Sequence, residues 1–63
     1  MGNFANNLRD ARRKKKITQK AAAQAAGISQ PLWSDYERRR KSPSIEQAER
    51  LAAAIGSTLR KLV

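Results

Sequence analysis

The stretch Thr18-Gln19-Lys20-Ala21-Ala22-Ala23-Gln24-Ala25-Ala26-Gly27-Ile28-Ser29-Gln30-Pro31-Leu32-Trp33-Ser34 constrains the fold more than any other part of the chain. Alanine favours helix more strongly than any other residue type, so the first half reads as a short helix. Thr18 carries the side-chain oxygen of a helix N-cap, and Gly27 can take the left-handed backbone conformation that stops a helix. Ser29 is placed to cap a second helix, with Pro31 in its first turn, where a missing N–H costs nothing. The pattern is two short helices hinged on a glycine turn, set between two clusters of arginine and lysine.

The flanking segments also read as helices. Residues 3–15 carry Phe4, Leu8 and Ala11 at spacings of four and three, which is one face of a helix. The run Arg-Arg-Lys-Lys-Lys at 12–16 suits the negative end of that helix's dipole. In the second helix of the central pair Trp33 and Tyr36 face the same way, and the helix gives out near Arg38, followed by a polar connector over 39–43. Ser44 with Gln47 three residues on makes a capping box. It opens a helix whose Ile45, Ala48, Leu51, Ala52 and Ile55 form an apolar stripe, and Gly56 is placed to end it. Ser57 is suited to cap a final short turn carrying Leu59 and Leu62. No segment reads as a strand, and residues 1–63 are expected to form one domain.

The expected core is Phe4, Leu8, Ala11, Ile17, Ala22, Ala23, Ala26, Ile28, Trp33, Tyr36, Ile45, Leu51, Ala52, Ile55, Leu59 and Leu62. Most of these side chains are small. Trp33, able to bury about 150–250 Å², is expected to fill the volume that the alanines leave open. A chain of 63 residues buries only roughly 60% of its unfolded surface. It has no Cys and no His, which excludes disulfides and zinc sites built from those residues. Compact helix packing is what remains to stabilise it, aided by self-association.

Charge narrows the partner. Fourteen Lys and Arg against five Asp and Glu give a net charge of +9, with seven cations in residues 9–20 and four in 38–41. That imbalance points to a polyanion, and double-stranded DNA is the first to consider. No apolar run approaches the ~20 residues of a membrane span, and residues 1–10 lack the apolar core of a signal peptide, so a cytoplasmic location is expected. Neither His nor Cys is present for catalysis, and the five carboxylates form no convincing constellation with Lys or Tyr36. No enzyme activity, cofactor or small-molecule ligand is expected.

Taken together, Ile17-Thr18-Gln19, Ala23, Gly27-Ile28-Ser29-Gln30, Ser34, Tyr36-Glu37 and Pro43-Ser44 resemble the helix-turn-helix domain of phage Cro and CI-type repressors. Each feature alone is weak. The family pattern runs roughly from Leu8-Arg9 through Leu62, nearly the whole chain, with the helix-turn-helix at about 18–38. The resemblance implies an all-α, compact five-helix fold like that of lambda repressor, which binds operator DNA, usually as a two-fold dimer. It makes residues 30–38 the recognition helix, with Gln30, Pro31 and Ser34 facing the groove and Leu32 and Asp35 beside them. It places Gln19 on a phosphate, with Thr18 or its backbone N–H, and pairs Arg12 with Glu37 in an ion pair tying the first helix to the third. Three positions depart from the pattern: Ala22 stands where Leu is common, Trp33 replaces a smaller aliphatic, and Arg39 replaces the Gly that follows the recognition helix.

The side chains suit these roles chemically. The Gln30 amide can bond adenine N6 and N7 together, which discriminates by ~1–3 kcal/mol. Pro31 and Leu32 bring apolar surface that can meet a thymine methyl, and Leu32 equally suits partial burial. Asp35 can accept from cytosine N4, or pair with Arg38 or Arg39 at helical spacing. Gln19, Lys20, Arg38, Arg40, Lys41 and Ser42 suit phosphate contacts, which set register and salt dependence but carry no sequence information. Arg13 and residues 14–16 extend the positive field. Leu59 is expected inside, with Val63 and part of Leu62 at the seam of a weak homodimer. Three rival readings share some of these features: an antitoxin-like protein-interaction module of the same fold, a non-specific RNA or ribosome binder, and an amphipathic membrane-surface peptide. Little exposed apolar surface, buried aromatics and Gly and Ser punctuation argue against them in turn.

Overall fold

The computed structural model describes residues 3–63; Met1 and Gly2 lie outside it. Five helices follow in order: α1 (Phe4–Lys14), α2 (Gln19–Ala26), α3 (Gln30–Glu37), α4 (Ile45–Ala54) and α5 (Leu59–Leu62). No strand occurs among the described residues. The fold is all-helical, with α2 packed on α3 and α4, α1 on α3 and α5, and α4 on α5.

Side-chain caps start four of the helices. Thr18 Oγ1 accepts from the Ala21 N–H at 3.1 Å, Ser29 Oγ from Leu32 at 3.3 Å and Ser44 Oγ from Gln47 at 3.1 Å. The start of α5 differs from expectation, since Thr58 rather than Ser57 caps it, accepting from the Lys61 N–H at 3.4 Å. Ser57 is already engaged in closing α4, its N–H donating to the Ala52 carbonyl at 2.9 Å, so the cap falls one residue later.

All four longer helices end in the same way. A residue with positive φ reverses the chain, its N–H donates three residues back, and the next N–H donates five residues back. This is the Schellman arrangement, which satisfies carbonyls that a helix end leaves unpaired. Gly27 (φ 74°) and Gly56 (φ 69°) serve α2 and α4, as their sequence positions suggest. Lys16 (φ 58°) and Arg39 (φ 62°) serve α1 and α3. The Arg39 position thus has the left-handed backbone that a glycine would adopt without strain.

The core gathers Phe4, Leu8, Ala22, Ala23, Ala26, Trp33, Tyr36, Ala48, Leu51, Ala52, Ile55 and Leu62, with Ala11, Ile17, Ile28 and Leu59 partly buried against it. Trp33 is fully buried in a cluster whose α2 members are all alanines, the large ring complementing small partners. One expectation fails. Ile45 is 65% exposed, because side chains tilt toward a helix's N-terminus and that of the first residue of α4 projects beyond the packed region. Leu62, expected in the core and in part at a dimer seam, is 3% exposed and closes the core, with Leu59 half-buried against it. The Leu62 carbonyl accepts from Asn7 Nδ2 at 2.8 Å, which draws the C-terminal turn onto α1 and buries the leucine. Val63, 63% exposed, is the remaining apolar side chain of that pair at the surface. Ala48, on the apolar stripe of α4, is buried, and so is Ala5, which lies outside the expected core because an alanine carries too little apolar area to declare its side outside such a stripe.

Candidate nucleic-acid interface

Gly27 turns the chain between α2 and α3 through its left-handed backbone, and the Ile28 N–H returns to the Ala23 carbonyl at 3.0 Å. A Cβ at Gly27 would meet nothing within 4 Å, so the turn asks for the conformation of glycine rather than its small size. The turn and the two caps bring the N-terminal residues of α2 and α3 close together. Gln30 Nε2 donates to Gln19 Oε1 across them at 2.8 Å. Gln30 and Pro31 are exposed, and Leu32, Ser34 and Asp35 are half-buried along the same helix.

Glu37, at the end of α3, is the hub of this arrangement. Its carboxylate accepts from Arg12 Nε at 2.6 Å, Arg12 Nη2 at 3.1 Å, Gln19 Nε2 at 3.0 Å and the Trp33 indole N–H. The Arg12 and Glu37 side chains are only 11% and 2% exposed, and Arg12 Nη1 also donates to the Ile17 carbonyl at 2.9 Å. Burial alone would raise the pKa of Glu37. The hydrogen bonds from Arg12, Gln19 and Trp33, together with the positive charge of Arg12, outweigh it and hold the carboxyl below its ordinary value. A buried ion is stable only when so completely partnered. The structure therefore brings Arg12 and Glu37 together in a two-pronged pair that links α1 to α3.

Four hydrogen bonds had no place in the sequence reading. Gln19, expected on a phosphate, spends one N–H and its carbonyl oxygen inside the protein and keeps one N–H free. The indole N–H of Trp33 reaches Glu37 four residues on, a helical spacing that sequence alone makes visible. Lys15 Nζ bonds the Gly56 carbonyl at 3.3 Å and ties the end of α1 to the α4–α5 turn.

Lys20, Arg38, Arg40, Lys41 and Ser42 are all exposed. The last four lie on the loop leaving α3, whose reversal at Arg39 is anchored by the Asp35 carbonyl, which accepts from Arg40 at 2.9 Å and Lys41 at 3.4 Å. That reversal brings Lys41 Nζ to 4.0 Å from the Asp35 carboxylate. The ion-pair partner of Asp35 is thus Lys41, not Arg38 or Arg39, because the chain folds back instead of continuing the helix. Thr18 accepts from Ala21 and retains its own O–H as a donor.

Five short helices with a capped pair at a tight turn, and cations grouped around the exposed ends of that pair, define a helix-turn-helix domain. The chain belongs to this family: residues 3–62 match the family model described as a helix-turn-helix domain. It is similar to the HTH-type transcriptional regulator DdrOP3 of Deinococcus deserti, 41% identical over 60 residues that cover 95% of this chain. The matched part is 46% of that relative, so the chain spans about half of the relative's length. Among the described residues no helix is long and apolar enough to cross a membrane.

Proposed function

We propose that this chain is a sequence-specific double-stranded DNA-binding transcription regulator, a repressor of the phage Cro/CI type. It lays α3 in the major groove of an operator half-site. The observation that carries the reading is the bridged pair Gln19–Gln30 at the two helix N-termini, Gln30 exposed and Gln19 half-buried, with the exposed 38–41 cations on the loop leaving the other end of α3. Helix-turn-helix proteins insert the N-terminal residues of the second helix between base edges while the first helix braces the backbone.

In this reading Gln30, Pro31, Leu32, Ser34 and Asp35 face the bases. Thr18, the free N–H of Gln19, Lys20, Arg38, Arg40, Lys41 and Ser42 meet phosphates. Arg12 and Glu37 hold α1 and α3 at a fixed angle and make no contact with DNA. A single domain reads few base pairs, so two copies bind a two-fold site with half-sites about one helical turn, ~10 bp, apart. Val63 contributes to the contact between them. The similarity to a named transcriptional regulator supports the regulatory role.

Selection from a random duplex pool at about 0.15 M salt tests this, because non-specific binding weakens at that ionic strength. Enrichment of an inverted repeat with half-sites a turn apart is expected. Retained DNA without any shared sequence would contradict it.

A further inference from the structure

The loop that leaves α3 also bounds, together with α1, a cavity of about 340 Å³. Small-molecule sites span roughly 300–1,000 Å³. The floor is apolar: buried Phe4 and Ala5 of α1, buried Tyr36 of α3, and half-buried Pro43. The rim is formed by exposed Arg39, Lys41 and Ser42. The Arg39 N–H donates to the Tyr36 carbonyl at 3.3 Å, which ties rim to floor. Among the described residues no carboxylate lines the cavity. Lys41 Nζ lies 4.0 Å from the Asp35 carboxylate. The Arg39 guanidinium and the hydroxyls of Tyr36 and Ser42 have no side-chain partner among the described residues.

Arg39 brings its side chain to this rim at a cost. Its φ of 62° is a conformation that glycine adopts without strain, and the sequence departs here from the glycine of the pattern it resembles. Strained backbone of this kind gathers at functional sites. We propose that the cavity binds a small aromatic carboxylate, and that the bound anion weakens DNA binding. The ring lies on Phe4, Tyr36 and Pro43, and the carboxylate takes the paired N–H groups of the Arg39 guanidinium. An inorganic anion would leave the apolar floor uncovered, and a neutral aromatic would leave the arginine unanswered. The effect on DNA rests on the reading of residues 38–42 as phosphate contacts: the ligand engages Lys41 and Ser42 and sets a negative charge among those cations. Sequence reading expects no such ligand, because the walls come from three separate segments that only the fold unites.

Benzoate, its neutral amide benzamide, and acetate are the probes, each titrated at about 0.15 M salt while backbone amide NMR signals are followed. Benzoate is expected to shift the amides of residues 4–5 and 39–42 along a curve nearly saturated by about 10 mM, with benzamide and acetate at least tenfold weaker. Asparagine tolerates the left-handed backbone, so Arg39→Asn keeps the turn and should lower benzoate affinity about tenfold. Arg50→Gln removes an equal charge from α4, outside the cavity, and should leave that affinity unchanged. Shifts spread over every cationic segment without saturation, or Arg39→Asn binding benzoate like the wild type, overturn the site. With benzoate at ten times its Kd, affinity for the selected duplex should fall by up to about tenfold, and far less in Arg39→Asn. Unchanged DNA affinity with benzoate bound overturns the coupling. A protein that saturates with benzoate but reads no DNA sequence overturns the proposed function and leaves the site standing.

Discussion

Arg39 and Lys16 sit at helix ends with φ of 62° and 58°, conformations in which a Cβ crowds the following carbonyl. Relieving that crowding at Arg39 outweighs the entropy lost with glycine, so Arg39→Gly is expected to raise stability by about 0.5–1 kcal/mol in urea unfolding; a loss would show that the arginine side chain stabilises the loop. Glu37 carries the opposite expectation. Glu37→Gln leaves Arg12 buried without its counter-charge, and about 3–5 kcal/mol of stability should be lost. Replacing Arg12 and Glu37 together by apolar residues should cost less than the single change, although Gln19 and Trp33 then lose a partner; simple additivity would contradict the pairing. The pKa of Glu37 is lowered by folding, so the unfolded chain binds its proton more readily. The stability this group supplies is complete above the unfolded value, about 4.3, and drains away as pH falls through the lower folded value. Acid unfolding of the wild type should therefore contain a component that Glu37→Gln lacks.

At the scale of the helices, stop signals and caps explain most of what the sequence made legible. Thr18, Ser29 and Ser44 are caps because a hydroxyl before an apolar-periodic run has one obvious use, and Gly27 and Gly56 end helices because glycine reverses a chain without strain. Gly27→Ala is expected to cost about 1–2 kcal/mol although nothing lies within 4 Å of the added Cβ. Gly56→Ala should cost a similar amount, since the atom its Cβ would meet is the movable end of Lys15. A Gly27→Ala protein as stable as the wild type would show that the turn tolerates another backbone. The same stop made with Lys16 was not legible, because lysine shows no preference for that conformation and the cationic run around it reads as a helix end only through the dipole. Ile45 misled for a related reason: helical periodicity identifies a face but not where along the helix its neighbours begin. At the site, the Arg12–Glu37 pairing came from family resemblance, whereas the link from Glu37 through Gln19 to Gln30 crosses from α3 to α2 and back and required the fold.

For the whole molecule, a charge of +9 on 63 residues makes association with any polyanion favourable, so binding alone says little. What distinguishes an operator reader is the part of the affinity that salt does not remove. In the proposed reading, phosphate contacts from Lys20 and the 38–41 cations would release counterions and weaken as salt rises, on specific and non-specific DNA alike. Base contacts from Gln30 and its neighbours on α3 would form only on the right sequence. The most direct measurement is the affinity of the protein for its selected duplex and for a scrambled duplex of equal length, followed from about 0.05 to 0.2 M salt. The account predicts that both affinities fall steeply while their ratio stays at about a thousandfold or more. A ratio near one at every salt concentration would contradict it and leave only a cationic surface that holds DNA without reading it.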